Sequence, residues 1–426
     1  MALAKVATSN MGRLRMNILL SAYACEPNKG SEPGIGWNWV KEISRYHEVW
    51  VITRANNRKV IEEALRKEPM PNVHWIYYDL PKWLRFWKKG QRGIHLYYYL
   101  WQIGIYFVAR RLHQRIRFDI IHHVTFGTYW LPSFLSLLPG RFVWGPVGGG
   151  ERTPFEFYSF LSLKDKIYEF IRNLAQRFCE FDPFVRMTAR NATIAFAATE
   201  DTARRMSVLG CHNVKIFSNV GVEEALCGSQ KNYPIKTNKI FRIFSIGRFI
   251  YWKNFQLGLK AFAKFQKMYP NSEYWLIGDG PERRKLENLA VRLGIRDKVK
   301  FLGKLSRHNV LEILKSGSVL LHPSLHDSGG WVISEAMVTG LPVICLDLGG
   351  CTIQVTKETG FKIPANNADH VVNNIVEAMI NLARDPQLRH HMGYMGRRHI
   401  AEHFCWRRKG KIMNYIYCDV AYARTK

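Results

Sequence analysis

From residue 16 to about 218, short apolar runs of strand length alternate with longer segments of helical period. The runs are NILLSAY, EVWVIT, VHWIYY, DIIHHV, RFVWGP and ATIAFA. A polar stretch, CGSQKNYPIKTNK (227 to 239), precedes a second series: IFRIFSIG, EYWLIG, VKFLG, SVLLHPS and PVICLD. Apolar runs of this length that alternate with helical segments predict parallel strands joined by crossover helices. The fold class expected is therefore α/β, with two Rossmann-like doubly wound domains facing each other across a cleft. The predicted organisation is a disordered leader over 1–15, a first domain over 16–228, a second over 229–404, and an amphipathic terminal helix over 405–426. Open α/β sheets bind ligands beyond the carboxyl ends of their strands, and nearly every glycine turn here follows a strand. The site is expected in the cleft.

Composition narrows this picture. The chain has 426 residues, 47% of them hydrophobic and 13% aromatic, as in a globular protein of two or three domains. Its net charge of +28 predicts an anionic partner: nucleic acid, an acidic membrane surface or a phosphorylated substrate. Eight cysteines are scattered without a Cys-x-x-Cys pair, which indicates neither a zinc site nor a disulfide framework and fits a reducing cytoplasm. Arg13 and Arg15 precede MNILLSAYAC in the manner of a secretory signal. The apolar run is short, however, and a glycine loop comes at once after it, so it reads as a buried first strand. No stretch reaches the roughly 20 uninterrupted apolar residues of a spanning helix.

Three turns carry candidate chemistry in the first domain. EPNKGSEPGIGW places Gly30, Gly34 and Gly36 after the first strand and ahead of the helical segment WNWVKEISRY. It lacks the third glycine of a dinucleotide fingerprint, and no acid ends strand two, which disfavours a nicotinamide enzyme. DIIHHVTFG sets His122 and His123 at the end of strand four with opposite side-chain directions, so one of them should face the cleft. GPVGGGE runs from Gly145 to Glu151, and its Gly148, Gly149 and Gly150 predict a mobile or ligand-hugging loop. Glu151 either touches substrate or caps the next segment of chain.

The second domain is richer. In HPSLHDSGGWVISEA, residues 322–336, Gly329 and Gly330 stand between Asp327 and Glu335 at a strand-to-helix turn. First-turn N–H groups of a helix have no intrahelical partner and carry partial positive charge, so a phosphate fits against bare glycine backbone there. Glu335, one helical turn beyond Trp331, can accept hydrogen bonds from sugar hydroxyls. The plain alternative is that Asp327 and Ser328 only start a helix and Glu335 is solvated. SIGRFIYWKN places Arg248 just past a strand and Lys253 near the next helix start. Cations are unfavourable at a helix N-terminus, so this pair suggests an anion between them, naturally a diphosphate. The sequence contains no Asp-x-Asp, the usual carboxylate clamp for a divalent ion on a nucleotide sugar. No metal or cofactor is expected, and the two cations with the helix N-terminus would replace the metal.

On these motifs the sequence resembles the retaining glycosyltransferases of family 4, the group 1 transferases of GT-B architecture. The likeness is dense over GRFIYWKN, LIGDGPERRKLENLA and VKFLGKLSRHNVLEILKSGSVLLHPSLHDSGGWVISEAMVTGLPVICLDLGG. It is looser in the first domain, where it rests on GSEPGIGW, the strand-four histidines and GPVGGGE. The resemblance implies that Arg248 and Lys253 bind a donor diphosphate, that Gly329, Gly330, Trp331 and Val332 offer backbone donors to phosphate, and that Glu335 holds the ribose. It places Asp327 at the reaction centre, in the position of the first glutamate of a Glu-x7-Glu motif and one methylene shorter. It also assigns His123, next to His122 where the family has His-x-His, a catalytic role. Gly30 and Gly34 join the donor site, and Gly148, Gly149, Gly150 and Glu151 become acceptor or loop contacts. The segment around Trp406 is expected to cross back onto the first domain.

The function expected is transfer from a nucleoside-diphosphate sugar to a saccharide or lipid-linked saccharide, in cell-surface polysaccharide or glycolipid synthesis. A nucleotide-sugar epimerase or hydrolase of the same architecture is one rival, and a basic nucleic-acid-binding protein, which would leave the glycine turns unexplained, is the other. Pro81 to Arg117 holds nine Lys and Arg and nine aromatic residues without an acid. That composition suits either a basic helix packed on the sheet or an interfacial surface that places a cytoplasmic enzyme on an acidic membrane.

Overall fold

The computed structural model describes residues 15–88, 90, 92–227 and 240–422. Residues 1–14 of the leader, the boundary at 228/229, and Lys89 and Gln91 of the basic segment lie outside them. The first sheet has seven parallel strands: β1 (Asn17–Ala22), β2 (Glu48–Arg54), β3 (Val73–Tyr78), β4 (Ile120–Thr125), β5 (Arg141–Val147), β6 (Ile194–Ala197) and β7 (Val214–Ile216). Their order is β3-β2-β1-β4-β5-β6-β7. The second has six: β8 (Phe241–Ile246), β9 (Ser272–Ile277), β10 (Val299–Gly303), β11 (Val319–His322), β12 (Val343–Leu346) and β13 (Gly360–Ile363). They lie in the order β10-β9-β8-β11-β12-β13. In each sheet the order reverses beside the first strand, between β1 and β4 and between β8 and β11, and opens a crevice there.

Eleven of these strands coincide with the apolar runs of the sequence. The other two, β7 and β13, escape the pattern because VKI is half-buried at a sheet edge and GFKI opens with a glycine. Gly360 is required: a Cβ there would lie 2.0 Å from the Val343 carbonyl oxygen of the neighbouring strand.

Apolar clusters fill both faces of each sheet, as doubly wound architecture demands. The terminal helix, Trp406–Tyr422, leaves the second domain and packs on the first. Where the chain crosses in each direction the two passes pair: Val222 N donates to Phe404 O at 2.8 Å, and Trp406 N to Val222 O at 2.9 Å. The buried Trp406 ring meets Trp39 edge-on at 5.3 Å and covers Gly221, where a Cβ would clash with the ring at 2.4 Å. Further along this helix the Tyr417 hydroxyl lies 2.5 Å from His122 Nδ1. The sequence pattern thus finds the helix, and the rings of its inner face explain why it returns.

The basic, aromatic segment divides. Ile94–Ile116 is one long helix, and its Tyr97, Tyr98 and Trp101 are core residues of the first domain. Trp83, Phe86 and Phe107 stay exposed. Among the described residues no helix is long and apolar enough to cross a membrane.

Candidate active site

At the carboxyl end of β11, Asp327 is the hub. Its Oδ1 accepts from the N–H of Gly330 at 3.2 Å and of Gly329 at 3.4 Å. Its Oδ2 pairs with the Lys253 ammonium and lies 3.3 Å from His322 Nε2. Burial alone would raise the Asp327 carboxyl, but Lys253 and His322 beside it hold it far below the usual carboxylate range. His322, the last residue of β11, is shifted the other way: its burial disfavours the cation, which Cys351 and Asp327 more than restore, so its pKa is raised.

This geometry corrects two expectations. The anion that caps the glycine pair is the protein's own Asp327, so those two amides are already in use. Lys253 pairs with the same carboxylate, while Arg248 stands exposed beyond β8. No free clamp is formed by the two cations alone. What remains at the helix N-terminus are the first-turn amides of the Trp331–Val338 helix, Trp331 and Val332 among them. Gly330 has φ of 63°, a left-handed conformation that lets the chain turn straight from the Asp327 loop into this helix.

Two supports escape the sequence pattern. Gln354, fully buried, donates from Nε2 to the carbonyls of Gly329 and Gly330, and its Oε1 accepts from Ser334 at 2.6 Å. By holding the Gly329 carbonyl it fixes the peptide unit whose other end, the Gly330 N–H, donates to Asp327. Gly349 and Gly350 lie beneath the same loop: Gly350 N donates to Asp327 O at 2.7 Å, and a Cβ on Gly349 would lie 2.6 Å from that oxygen. A second glycine pair after β12 was the available signal.

Glu335 lies one turn into the helix and is not solvated. Burial raises its pKa, while Arg307 opposes the rise by donating from Nε to its Oε1 at 2.9 Å. Arg307 also binds Glu223 Oε1 at 2.8 Å. Arg307 stands in the segment SRHNV of the family-like stretch, but no spacing rule links it to Glu335 across strand β11.

On the first-domain side, His122 and His123 point in opposite directions as expected. His122 is fixed between Tyr417 and the Gly145 carbonyl, and burial pushes it down to about 3. His123 faces Tyr98 Oη at 3.5 Å and Phe126 O at 3.4 Å, and burial pushes it down to about 4. Its Nδ1 has no partner among the described residues. Beside them Glu32 accepts from Gly127 N, and burial raises its pKa. An acid in the first turn of a helix was the overlooked signal.

The glycine loops also differ from expectation. The first helix begins at Ser31, with Gly30 as its N-cap, so Gly34 and Gly36 lie within it. Their absent side chains admit the preceding turn: Cβ atoms would sit 2.0 Å from Lys29 O and 2.1 Å from Ala24 O. Gly34 is therefore a packing glycine, buried within the helix. The Gly148–Gly150 loop joins the domains. Gly149 N donates to Ser328 Oγ at 3.1 Å, and Ser328 donates to Glu151 Oε2 at 2.7 Å. Glu151 is buried and also receives the hydroxyls of Thr199 at 2.6 Å and Thr202 at 3.0 Å. A carboxylate so fully engaged latches the loop and leaves nothing for an acceptor. Among the described residues no group of three or more His, Cys, Asp or Glu is arranged to hold a metal ion.

Residues 229–399 match the family described as glycosyl transferases group 1. The second domain is a group 1 glycosyl transferase domain. The transferase domain carries every element of the Asp327 and Glu335 clusters except Glu223. Over 195 residues, 45% of this chain, the sequence is 32% identical to an N-acetyl-alpha-D-glucosaminyl L-malate synthase of Bacillus anthracis, matching 48% of that protein. It is 31% identical to the lipopolysaccharide core biosynthesis glycosyltransferase LpsD of Rhizobium meliloti over 37% of this chain and 43% of the relative. The chain thus spans less than half the length of each of these relatives. The structure resembles HepE of Anabaena in complex with UDP and glucose, with a TM-score of 0.63, 17% identity, and coverage of 95% of this chain and 100% of the other. It also resembles sucrose-phosphate synthase of Thermosynechococcus elongatus, with a TM-score of 0.64, 19% identity, and coverage of 96% and 100%. The fold is GT-B over both domains, transferase domain included.

Proposed function

We propose that the chain transfers a glycosyl group from a nucleoside-diphosphate sugar to a hydroxyl of a saccharide or lipid-linked saccharide, with retention and without a metal. The observation that carries this reading is the Lys253–Asp327–His322 cluster set at a helix N-terminus beyond β11. Such a site is preorganised for negative charge that grows on a leaving diphosphate. The acceptor oxygen bonds to the anomeric carbon as the bond from that carbon to the diphosphate oxygen breaks. The diphosphate leaves with the electron pair, and the acceptor proton passes to it. Lys253, Arg248 and the amides of Trp331 and Val332 stabilise that charge. Asp327 keeps Lys253 aimed at the site, and Glu335, itself held by Arg307, accepts the ribose hydroxyls.

By their names, the Bacillus anthracis relative makes an N-acetylglucosaminyl malate and the Rhizobium meliloti relative acts in lipopolysaccharide core biosynthesis. The strongly basic chain suits work at the cytoplasmic face of an acidic membrane, in surface polysaccharide or glycolipid assembly. The test is product analysis after incubation with a panel of nucleotide sugars and saccharide acceptors, with and without excess chelator. The reading expects a new glycoside and a nucleoside diphosphate, undiminished by EDTA. Free sugar or an epimer as the only product would replace transfer with hydrolysis or epimerisation. Complete inhibition by EDTA, reversed by magnesium or manganese, would overturn the metal-free mechanism.

A further inference from the structure

The Leu163–Cys179 helix is built inside out. Its inward face is polar: Glu169 is 0% and Gln176 4% exposed. Glu169 Oε1 accepts from Tyr251 Oη at 2.6 Å and lies 2.9 Å from His326 Nε2, both in the second domain. Arg172 donates to Glu151 O at 2.9 Å and Gln176 to Gly149 O at 2.8 Å. Its outward face is apolar: Leu163, Ile167, Phe170, Ile171, Leu174 and Phe178 lie along one side at helical spacing, with Phe170 at 66% and Phe178 at 68% exposure. Phe155, in the turn that precedes the helix, and Phe181, just after it, are exposed as well. A continuous apolar strip of this length on a solvent-exposed surface marks a docking site.

We propose that this face seats the protein on an anionic lipid surface. The proposal rests on the membrane part of the function above and moves it from the Pro81–Arg117 segment, whose central aromatics are core, to this helix. Charge selects the occupant. Lys164, Lys166 and Arg177 flank the strip and have no carboxylate partner among the described residues, and the whole chain carries +28. A second copy would bring like charges together, whereas acidic headgroups complement them while the acyl boundary takes the Phe and Ile side chains. The polar inner face contacts His326, the neighbour of Asp327, so a helix seated in lipid would hold the donor loop beside the membrane where a lipid-linked acceptor waits.

The experiment uses the full chain and its Ile167→Glu/Ile171→Glu/Phe178→Glu variant. Each is sedimented with phosphatidylglycerol or phosphatidylcholine vesicles, run in sedimentation velocity, and tested for thermal stabilisation by nucleotide sugars. The wild type should pellet with the acidic vesicles at low salt. The variant should partition at least about tenfold more weakly, because three apolar anchors become anions, and should keep its nucleotide-sugar stabilisation. A variant that pellets like the wild type overturns the proposal. So does a wild-type dimer that the variant converts to monomer, which would make the strip a self-interface, and so does a wild type that ignores acidic vesicles. Loss of nucleotide-sugar stabilisation in the wild type would instead strike the catalytic reading and leave vesicle binding to stand or fall separately.

Discussion

The two sheets have the same strand order around their switch points, yet their carboxyl ends are chemically opposite. The end of β4 is buried and aromatic: burial pushes His122 and His123 toward the neutral form, and Tyr23, Tyr98 and Phe126 pack against one another beside them. The end of β11 is ionic, with Lys253, Asp327 and His322 in one cluster and Arg307 with Glu335 in another. The same backbone therefore presents an aromatic wall on one side of the cleft and an ionic wall on the other. Fold sets where a ligand lies, and the side chains at the strand ends set which half of it each domain can hold.

The largest effect should come from neutralising the ionic end. Asp327→Asn keeps an acceptor for the Gly329 and Gly330 amides but removes the charge that holds Lys253. A loss of preorganised electrostatics on this scale corresponds to about 10²- to 10³-fold in kcat. Steady-state transfer kinetics with an unchanged kcat would erase the contrast between the two ends.

The seam between the regions comes next. Burial alone would raise the Glu169 carboxyl, but hydrogen bonds from His326 and Tyr251 bring it down to about 2 from an ordinary 4.5. Its folded value lies below its unfolded one, so its contribution is fully present above about pH 4.5 and is lost as pH falls toward about 2. Thermal melts across that window should show stability falling with acid in the wild type and a flatter profile in Glu169→Gln, which starts lower at neutral pH. Parallel profiles would show that the interdomain contact is not carried by this carboxylate.

The smallest effect is expected at the aromatic end. His123 makes only long contacts, and removing a neutral hydrogen bond costs about 0.5–1.5 kcal/mol, or about two- to tenfold. His123→Ala should therefore change acceptor or donor KM by that modest factor. A loss in kcat as large as that of Asp327→Asn would make β4 a catalytic end equal to β11.

Period and glycine turns made both sheets legible, because strands buried on both faces read as short apolar runs. The Asp327 and Glu335 pair was visible for the same local reason: both lie in one strand-turn-helix unit. What stayed hidden depends on long-range contacts. Arg307 reaches Glu335, Gln354 reaches Gly329, and Glu169 reaches Tyr251 and His326 only after the chain has folded. Among the assignments that changed, those of Gly34 and Glu151 share one cause: glycine and acid in a turn signal a ligand and a close chain crossing equally well. The Leu163–Cys179 helix shows the remaining gap, since an amphipathic pattern does not reveal which face is turned inward.

The central claim, that the ionic end of the second domain holds a nucleotide sugar, is tested most directly by ligand-dependent unfolding of the wild type and Glu335→Gln. At a hundred times its dissociation constant the correct nucleotide sugar should stabilise the wild type by about 2.7 kcal/mol. The same ligand concentration should stabilise Glu335→Gln much less, since the bond lost to the charged Glu335 is worth about 1.5–3 kcal/mol. Equal stabilisation of both proteins, or none by any nucleotide sugar, would contradict the account.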